Sequence, residues 1–242
     1  MNPDEYTRMF EMEDHYWWFV ARRRIALKLL DRSLDRSSNI LLDVGCGTGV
    51  VLRELQARGE PMGIDVSPLA LDFCRKRGLA RLIRGDATSL PIKSNLCAAL
   101  VGLDVFEHIE QDSAAFEEAF RVLAPGGILV LSVPAFQRLW GPHDVALMHY
   151  RRYTRRCLKD RLNKAGFRIE RITYSVFILF PVVVIVRFFE KRKKGPAKAS
   201  LAALPNWVNS TLIAIQAIEA FLISAMDLPW GSSLIAIARK PQ

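Results

Sequence analysis

Residues 41–49 read Leu41-Leu42-Asp43-Val44-Gly45-Cys46-Gly47-Thr48-Gly49, an apolar run that meets an acid and then glycines at alternate positions. An apolar run ending in turn residues reads as a buried strand. Glycine, lacking Cβ, permits the left-handed backbone of a tight turn and lets a ligand approach the main chain. The turn is therefore a candidate nucleotide-binding loop, and its spacing excludes two common kinds. A dinucleotide fingerprint places its third glycine three residues after the second; Gly49 follows Gly47 by two, which disfavours a nicotinamide-dependent oxidoreductase. A P-loop closes on Gly-Lys-Ser/Thr, and no lysine follows these glycines.

Working outward, Pro61-Met62-Gly63-Ile64-Asp65-Val66-Ser67 places an acid at the end of a second short strand, and Gly85-Asp86-Ala87 follows a third. Residues 98–103 read as a fourth strand, followed by Asp104-Val105-Phe106-Glu107-His108-Ile109. Leu123-Ala124-Pro125-Gly126-Gly127 reads as a turn before a fifth strand at 128–133. Helical stretches at 50–57, 68–77 and 113–123 alternate with these strands. Such βαβ alternation predicts a parallel sheet with helices on both faces, binding ligands beyond the carboxyl ends of its strands.

In this order the segments resemble the class I S-adenosylmethionine-dependent methyltransferases, of the type 11 methyltransferase kind. The resemblance implies a Rossmann-like α/β fold whose seven-stranded sheet is mostly parallel, with the last strand antiparallel. It implies S-adenosylmethionine as cofactor, held by Asp43, Gly45, Cys46, Gly47 and Gly49 of the first loop, by Asp65 and Val66, by Asp86 and Ala87, and by Leu103. In that family the acid at Asp65 binds both ribose hydroxyls, and the one at Asp86 lies near the adenine amino group. A carboxylate suits two adjacent hydroxyl donors because it offers two acceptor oxygens.

Composition narrows the partners. The chain has 242 residues, half of them apolar, and a net charge of +9, which favours anionic partners. Cys46, Cys74, Cys97 and Cys157 form no CxxC pair, arguing against a structural zinc site or a disulfide framework and for reduced thiols in a cytoplasmic protein. The polar, acidic residues 1–5 do not have the pattern of a secretory signal.

Three features stand out beside or within the expected cofactor domain, which takes residues 37–175 and 231–242. The first is an N-terminal helical segment, 1–36, where His15-Tyr16-Trp17-Trp18-Phe19 precedes Arg22-Arg23-Arg24. Its aromatics either staple the helix to the sheet or form a lid. The second is a basic stretch in which Arg151, Arg152, Arg155, Arg156 and Lys159 recur at helical spacing as one stripe, with Leu158, Leu162 and Ala165 facing inward and Gly166 closing the helix. The third is an apolar helical insertion at 176–230, between a sixth strand at 167–174 and a seventh at 233–238. Its run at 176–186 is too short for a bilayer crossing, which takes roughly 20 residues. A polybasic cluster, Lys191-Arg192-Lys193-Lys194, follows. At 207–230 a helical pattern aligns Asn209, Gln216 and Asp227, flanked by Glu219 and Ser224, as a polar stripe opposite an apolar face. That pattern is expected to attach the protein to the cytoplasmic face of an anionic membrane without crossing it; a buried hairpin or a homodimer contact is the alternative.

Methyl transfer from a sulfonium is an in-line displacement that alignment and desolvation can accelerate. An oxygen acceptor benefits from a general base, so His108, His143 and His149 are the candidate catalytic residues. Glu107 and His108 are adjacent potential ligands, too few to assign a metal. A small-molecule or lipid-linked acceptor, such as an isoprenoid or glycolipid, is expected. Base N-methylation of nucleic acid in this family uses Asn/Asp-Pro-Pro-aromatic where this chain has Leu103-Asp104-Val105-Phe106. An RNA or protein methyltransferase, or a silent cofactor-binding partner, remains the alternative.

Overall fold

The computed structural model describes residues 3–34, 40–192 and 203–242. Among these residues seven strands form one sheet: β1 (Ile40–Val44), β2 (Glu60–Asp65), β3 (Leu82–Arg84), β4 (Cys97–Leu103), β5 (Leu123–Pro134), β6 (Arg168–Ser175) and β7 (Ser233–Arg239). Their order is β3-β2-β1-β4-β5-β7-β6. β1 to β5 pair in parallel, and β7 runs antiparallel between β5 and β6. The order reverses between β1 and β4, which opens a crevice at their carboxyl ends.

The central strands are apolar throughout because both faces are covered; every residue of β4 is buried. Successive side chains still point to opposite faces. Leu41 joins a cluster with Leu30 of α2 (Trp17–Ser33) and Leu55 of α3 (Val50–Leu55), whereas Leu42 joins Phe116 of α5 (Asp112–Val122) and Leu158 of α7 (Arg155–Lys164). Truncating the fully buried Phe116 to Ala would cost about 3–5 kcal/mol. The remaining helices are α1 (Pro3–Met12), α4 (Pro68–Lys76), α6 (Pro142–Ala146), α8 (Phe180–Glu190) and α9 (Asn206–Ala225). Local sequence sets their ends. Ser67 caps α4 by accepting from Ala70 N, with Pro68 in the first turn, and Thr154 caps α7 by accepting from Cys157 N at 3.1 Å. Gly166, with φ +97°, follows the end of α7.

Three expectations change. The turn expected at 123–127 is the irregular start of β5: Leu123 already pairs with Cys97, and the register shifts before Ala99. A Cβ on Gly127 would stand 2.8 Å from Ala124 O and 3.0 Å from Cys97 O, so the close approach of main chains requires glycine there. The basic stripe is broken, since Arg151 and Arg152 precede α7. Arg151 pairs with Asp112 at 2.9 Å, and Arg152 is buried against Asp144 at 2.7 Å. Opposite charges reached through the fold, and not solvent, decide where those two side chains go.

The third change is the largest. α9 turns its polar residues inward: Gln216 and Glu219 are buried, Asn209 Oδ1 accepts from Trp17 N, and Asn209 Nδ2 donates to His15 O. Asp227 lies beyond the helix end and pairs with Arg155 and Arg171. Trp207, Ile218 and Phe221 are exposed on α9, as are Val182, Val184, Ile185, Phe188 and Phe189 on α8, of which no residue is buried. Of the polybasic cluster, Lys191 and Arg192 follow α8, while Lys193 and Lys194 lie outside the described residues.

Candidate active site

The loop after β1 lies beside the point where the strand order reverses. Gly45 and Gly47 hold φ of +65° and +53°, a region that strains any residue with a side chain. A Cβ on Gly45 would lie 2.4 Å from Val105 Cγ2, and one on Gly47 2.8 Å from Met9 Cε. Together with Cys46, both line a cavity of about 1310 Å³. Ligand pockets run to about 300–1,000 Å³, so this one has room for a cofactor and an acceptor together. Gly49 differs: it is not among the residues lining the cavity. Its absent Cβ makes room for Leu79 Cδ1 and Cys74 Sγ, which one would approach to 2.7 and 2.9 Å.

Asp65 ends β2 with Oδ2 accepting from Gly47 N at 3.0 Å and Oδ1 accepting from Ser67 N at 2.9 Å. The acid thus sets the shape of the glycine loop and keeps further lone pairs for a ligand. Val66 forms an exposed rim, and Asp86 and Ala87 after β3 line the same end. Asp86 Oδ1 also closes its own turn by accepting from the amide and hydroxyl of Thr88. Asp43 and Leu103 lie at the ends of β1 and β4 and are buried. Asp43 Oδ2 is buried without a partner, and burial, with Asp65 and Glu13 nearby, pushes its carboxyl well above the ordinary range. A floor of glycine main chain and acids with unused acceptor capacity fits a cofactor that brings hydroxyl and ammonium donors, as S-adenosylmethionine does.

α1 covers this end. Its Tyr6 and Met9 line the cavity, and Phe10 packs on Phe73 of α4 with ring centroids 4.8 Å apart. Just beyond it, Glu13 accepts from the hydroxyl of Thr48 and pairs with Arg77. Trp17, Trp18 and Phe19 also border the cavity. Met9 and Glu13 had no distinguishing signal in the sequence, because only the docking of α1 brings them to the loop.

At the other end the fold gathers the three candidate histidines. His108 and His149 rings stand 4.6 Å apart, centroid to centroid, and His143 and His149 6.5 Å apart. Burial is the main cause that lowers His108 to about 4 and His143 to about 3, so both are neutral near pH 7 and lack the near-neutral titration that favours a histidine base. His149 Nδ1 bonds to Asp144 Oδ1 at 3.0 Å, and Arg152 Nε donates to the same oxygen. Two acids also stand here, one given no role by sequence reasoning and the other named there only as a potential ligand beside His108. Asp104, at φ +54°, pairs with Arg22 and accepts from Ser132 Oγ at 2.6 Å. Glu107 is wholly buried and neither of its carboxylate oxygens has a partner. Leu179, Val182, Val183 and Val186 of the α8 region, with Leu212 of α9, complete an apolar wall.

Residues 42–131 match the family model of the methyltransferase domain. Among curated proteins, the chain is 30% identical over 140 residues to the tRNA (carboxymethyluridine(34)-5-O)-methyltransferase of Macaca fascicularis, covering 55% of this chain and 19% of that protein. It is 32% identical over 121 residues to the demethylmenaquinone methyltransferase of Thermus thermophilus, covering 47% and 55%. The chain thus spans about a fifth of the first and just over half of the second. Among solved structures, an S-adenosylmethionine-dependent methyltransferase from Thermotoga maritima aligns over 98% of this chain and 95% of its own at 18% identity, with a TM-score of 0.63. Phosphoethanolamine N-methyltransferase 2 of Haemonchus contortus, in complex with S-adenosyl-L-methionine, aligns over 98% and 60% at 17% identity, with a TM-score of 0.58. The glycine loop, the strand order and these likenesses agree: the chain carries a class I S-adenosylmethionine-dependent methyltransferase domain.

Proposed function

We propose that this protein transfers a methyl group from S-adenosylmethionine to a small apolar or lipid-linked acceptor at the cytoplasmic surface of a membrane. The observation that carries the reading is the continuity of one cavity. It runs from the acids and glycines of β1 and β2 to an apolar wall on α8 and α9, and the outer side of those helices exposes Ile185, Phe188, Phe189 and Phe221. Exposed apolar patches of this kind mark interaction or membrane surfaces. α9 is long and apolar enough to cross a bilayer by length and composition; its inward-turned Gln216 and Glu219 and its bond to Trp17 favour a helix lying on the domain with one face toward lipid.

When bound, S-adenosylmethionine supplies an electrophilic methyl on a sulfonium. The residues of this chain then position and desolvate. Asp65 and the glycine loop orient the nucleoside, α1 and the tryptophans exclude water, and the α8 wall aligns an apolar acceptor. Lipids extracted from cells with and without the protein, compared by mass spectrometry, test the reading. A lipid or isoprenoid species heavier by one CH₂ unit in the presence of the protein supports it. Methylated RNA or protein with an unchanged lipid profile replaces it.

A further inference from the structure

We propose that Glu107, His108 and His149 hold a divalent first-row transition-metal ion within the cavity. One potential ligand atom from each lies within 4.8 Å of the others. Bonds of about 2.0–2.2 Å set at about 90–110° to one another place two ligands of one ion about 2.8–3.6 Å apart, so closing the set brings a pair at the 4.8 Å limit about 1–2 Å nearer, within reach of side-chain rotation. Two imidazoles and one carboxylate are a donor set used for zinc and for iron, with positions left open to solvent or substrate. All three residues line the cavity, so the open positions face the space assigned to the acceptor.

Glu107 is the strongest reason. A fully buried carboxyl with both oxygens unpartnered leaves several kcal/mol of hydrogen bonding or ion pairing unmade, and native proteins rarely leave such a group without a purpose. Asp104 stands nearby as a further acid, already matched by Arg22 and Ser132, and does not supply the missing partner. Bound cations are a standard solution for such acids.

The surroundings are built as a metal's outer shell is. Asp144 fixes His149 through Nδ1 at 3.0 Å, which directs the Nε2 lone pair to the other side of the ring, the carboxylate–histidine–metal arrangement. Asp144 is itself held by Arg152 Nε at 2.7 Å and by Gly141 N at 2.9 Å. Glu107 and His108 are consecutive in a short 3-10 turn, Phe106–His108. Tyr150 N donates to Glu107 O at 2.8 Å, and Tyr153 Oη donates to Phe106 O at 3.3 Å, so the turn is anchored from outside the ligand set.

The experiment uses the tag-free full chain, stripped with chelator and titrated with Co²⁺ without S-adenosylmethionine, so that its result stands apart from the cofactor reading. Wild type is expected to bind one Co²⁺ per chain with visible d–d absorption, to release it to Zn²⁺, and to show a raised Tm with either ion. Glu107→Gln, which keeps shape and removes no hydrogen bond, should fold normally and weaken Co²⁺ binding at least tenfold. Asp144→Asn, acting through His149, should weaken it about 10–100-fold. Wild type and Glu107→Gln that bind Co²⁺ equally, or a wild type showing neither d–d bands nor a Tm shift, would overturn the assignment and leave Glu107 a protonated buried acid.

Discussion

Arg77 and Glu13 form a buried ion pair beside the cofactor cradle, Nη2 to Oε1 at 2.7 Å, with side chains only 7% and 4% exposed. Arg77 also donates to Thr48 O at 2.8 Å and stands 4.5 Å above the Phe10 ring centroid. One side chain at the end of α4 thus binds the glycine loop and the end of α1 at once. Breaking a buried pair by removing one partner costs about 3–5 kcal/mol. Arg77→Ala should therefore lower Tm by several degrees, expose α1 to limited proteolysis and speed cofactor release. Arg77→Lys should rescue only part, because lysine lacks the fork that reaches several acceptors. Unchanged proteolysis of α1 in Arg77→Ala would show that the clasp does not hold it.

The two faces of the cradle are separable by substitution. Asp65→Ala removes a charged acceptor from the loop and the ligand, and each such hydrogen bond is worth about 1.5–3 kcal/mol. Calorimetry should show S-adenosylmethionine affinity down at least tenfold, and equal affinity would remove Asp65 from the site.

Gly47→Ala should weaken cofactor binding more than it weakens the fold, because its new Cβ meets the flexible end of Met9. Gly49→Ala should do the reverse. Its Cβ enters the packing of Leu79 and Cys74, and overpacking of that kind costs about 1–3 kcal/mol. Denaturant unfolding alongside calorimetry distinguishes the two.

Glu219 ties α9 to the end of β6 by accepting from Val176 N and, at 3.1 Å, from Ile178 N. Glu219→Ala leaves two amides unpaired and should cost about 2–5 kcal/mol. Burial raises the Glu219 carboxyl above its ordinary value, against the hydrogen bonds that lower it. The folded state therefore binds a proton more tightly than the unfolded one. This contribution to stability is full at pH below the ordinary carboxylate value and is lost as pH rises through the raised one. Glu219→Gln should flatten that limb of a stability-versus-pH profile; an identical profile in wild type and variant would assign the limb to another group.

The outer face of α8 and α9 should float the protein with anionic liposomes and, less well, with neutral ones. Phe188→Ser with Phe189→Ser should weaken both. Lys191→Glu with Arg192→Glu should weaken the anionic case by roughly 2–4 kcal/mol, at about 1 kcal/mol per basic residue removed and as much again for each acid introduced. High salt should reduce only the electrostatic share. A protein that stays soluble with anionic liposomes at low salt refutes membrane attachment, and sedimentation as a dimer would assign the face to a second copy.

The sheet was legible because its signals are local: a glycine loop with fixed spacing, acids at strand ends, and apolar runs separated by helical periods. The placement of Asp65 and the three histidines along one cavity was legible for the same reason, since Asp65 ends a strand and the histidines come after strands whose ends face the crevice. The direction of α9 was not. Periodicity groups Asn209, Gln216 and Glu219 on one face, but only the docking of α9 on the domain decides whether that face meets protein or solvent. Arg151 and Arg152 were misread alike, since Asp112 and Asp144 are distant in sequence and adjacent only in the fold. Glu107 stood out only as a neighbour of His108, because nothing local shows that its side chain is sealed from water.

Val182 lines the cavity and is 57% exposed, so the cavity lies open along this face of α8. For an acceptor held in a bilayer against α8, Leu179, Val182, Val183 and Val186 would offer its tail an apolar route into the cavity that holds the methyl donor. Turnover on such a route follows the mole fraction of acceptor in the lipid surface, not its amount per volume of solution. Diluting the acceptor with inert lipid at constant bulk concentration would slow the enzyme, as it would not slow one that draws its acceptor from water.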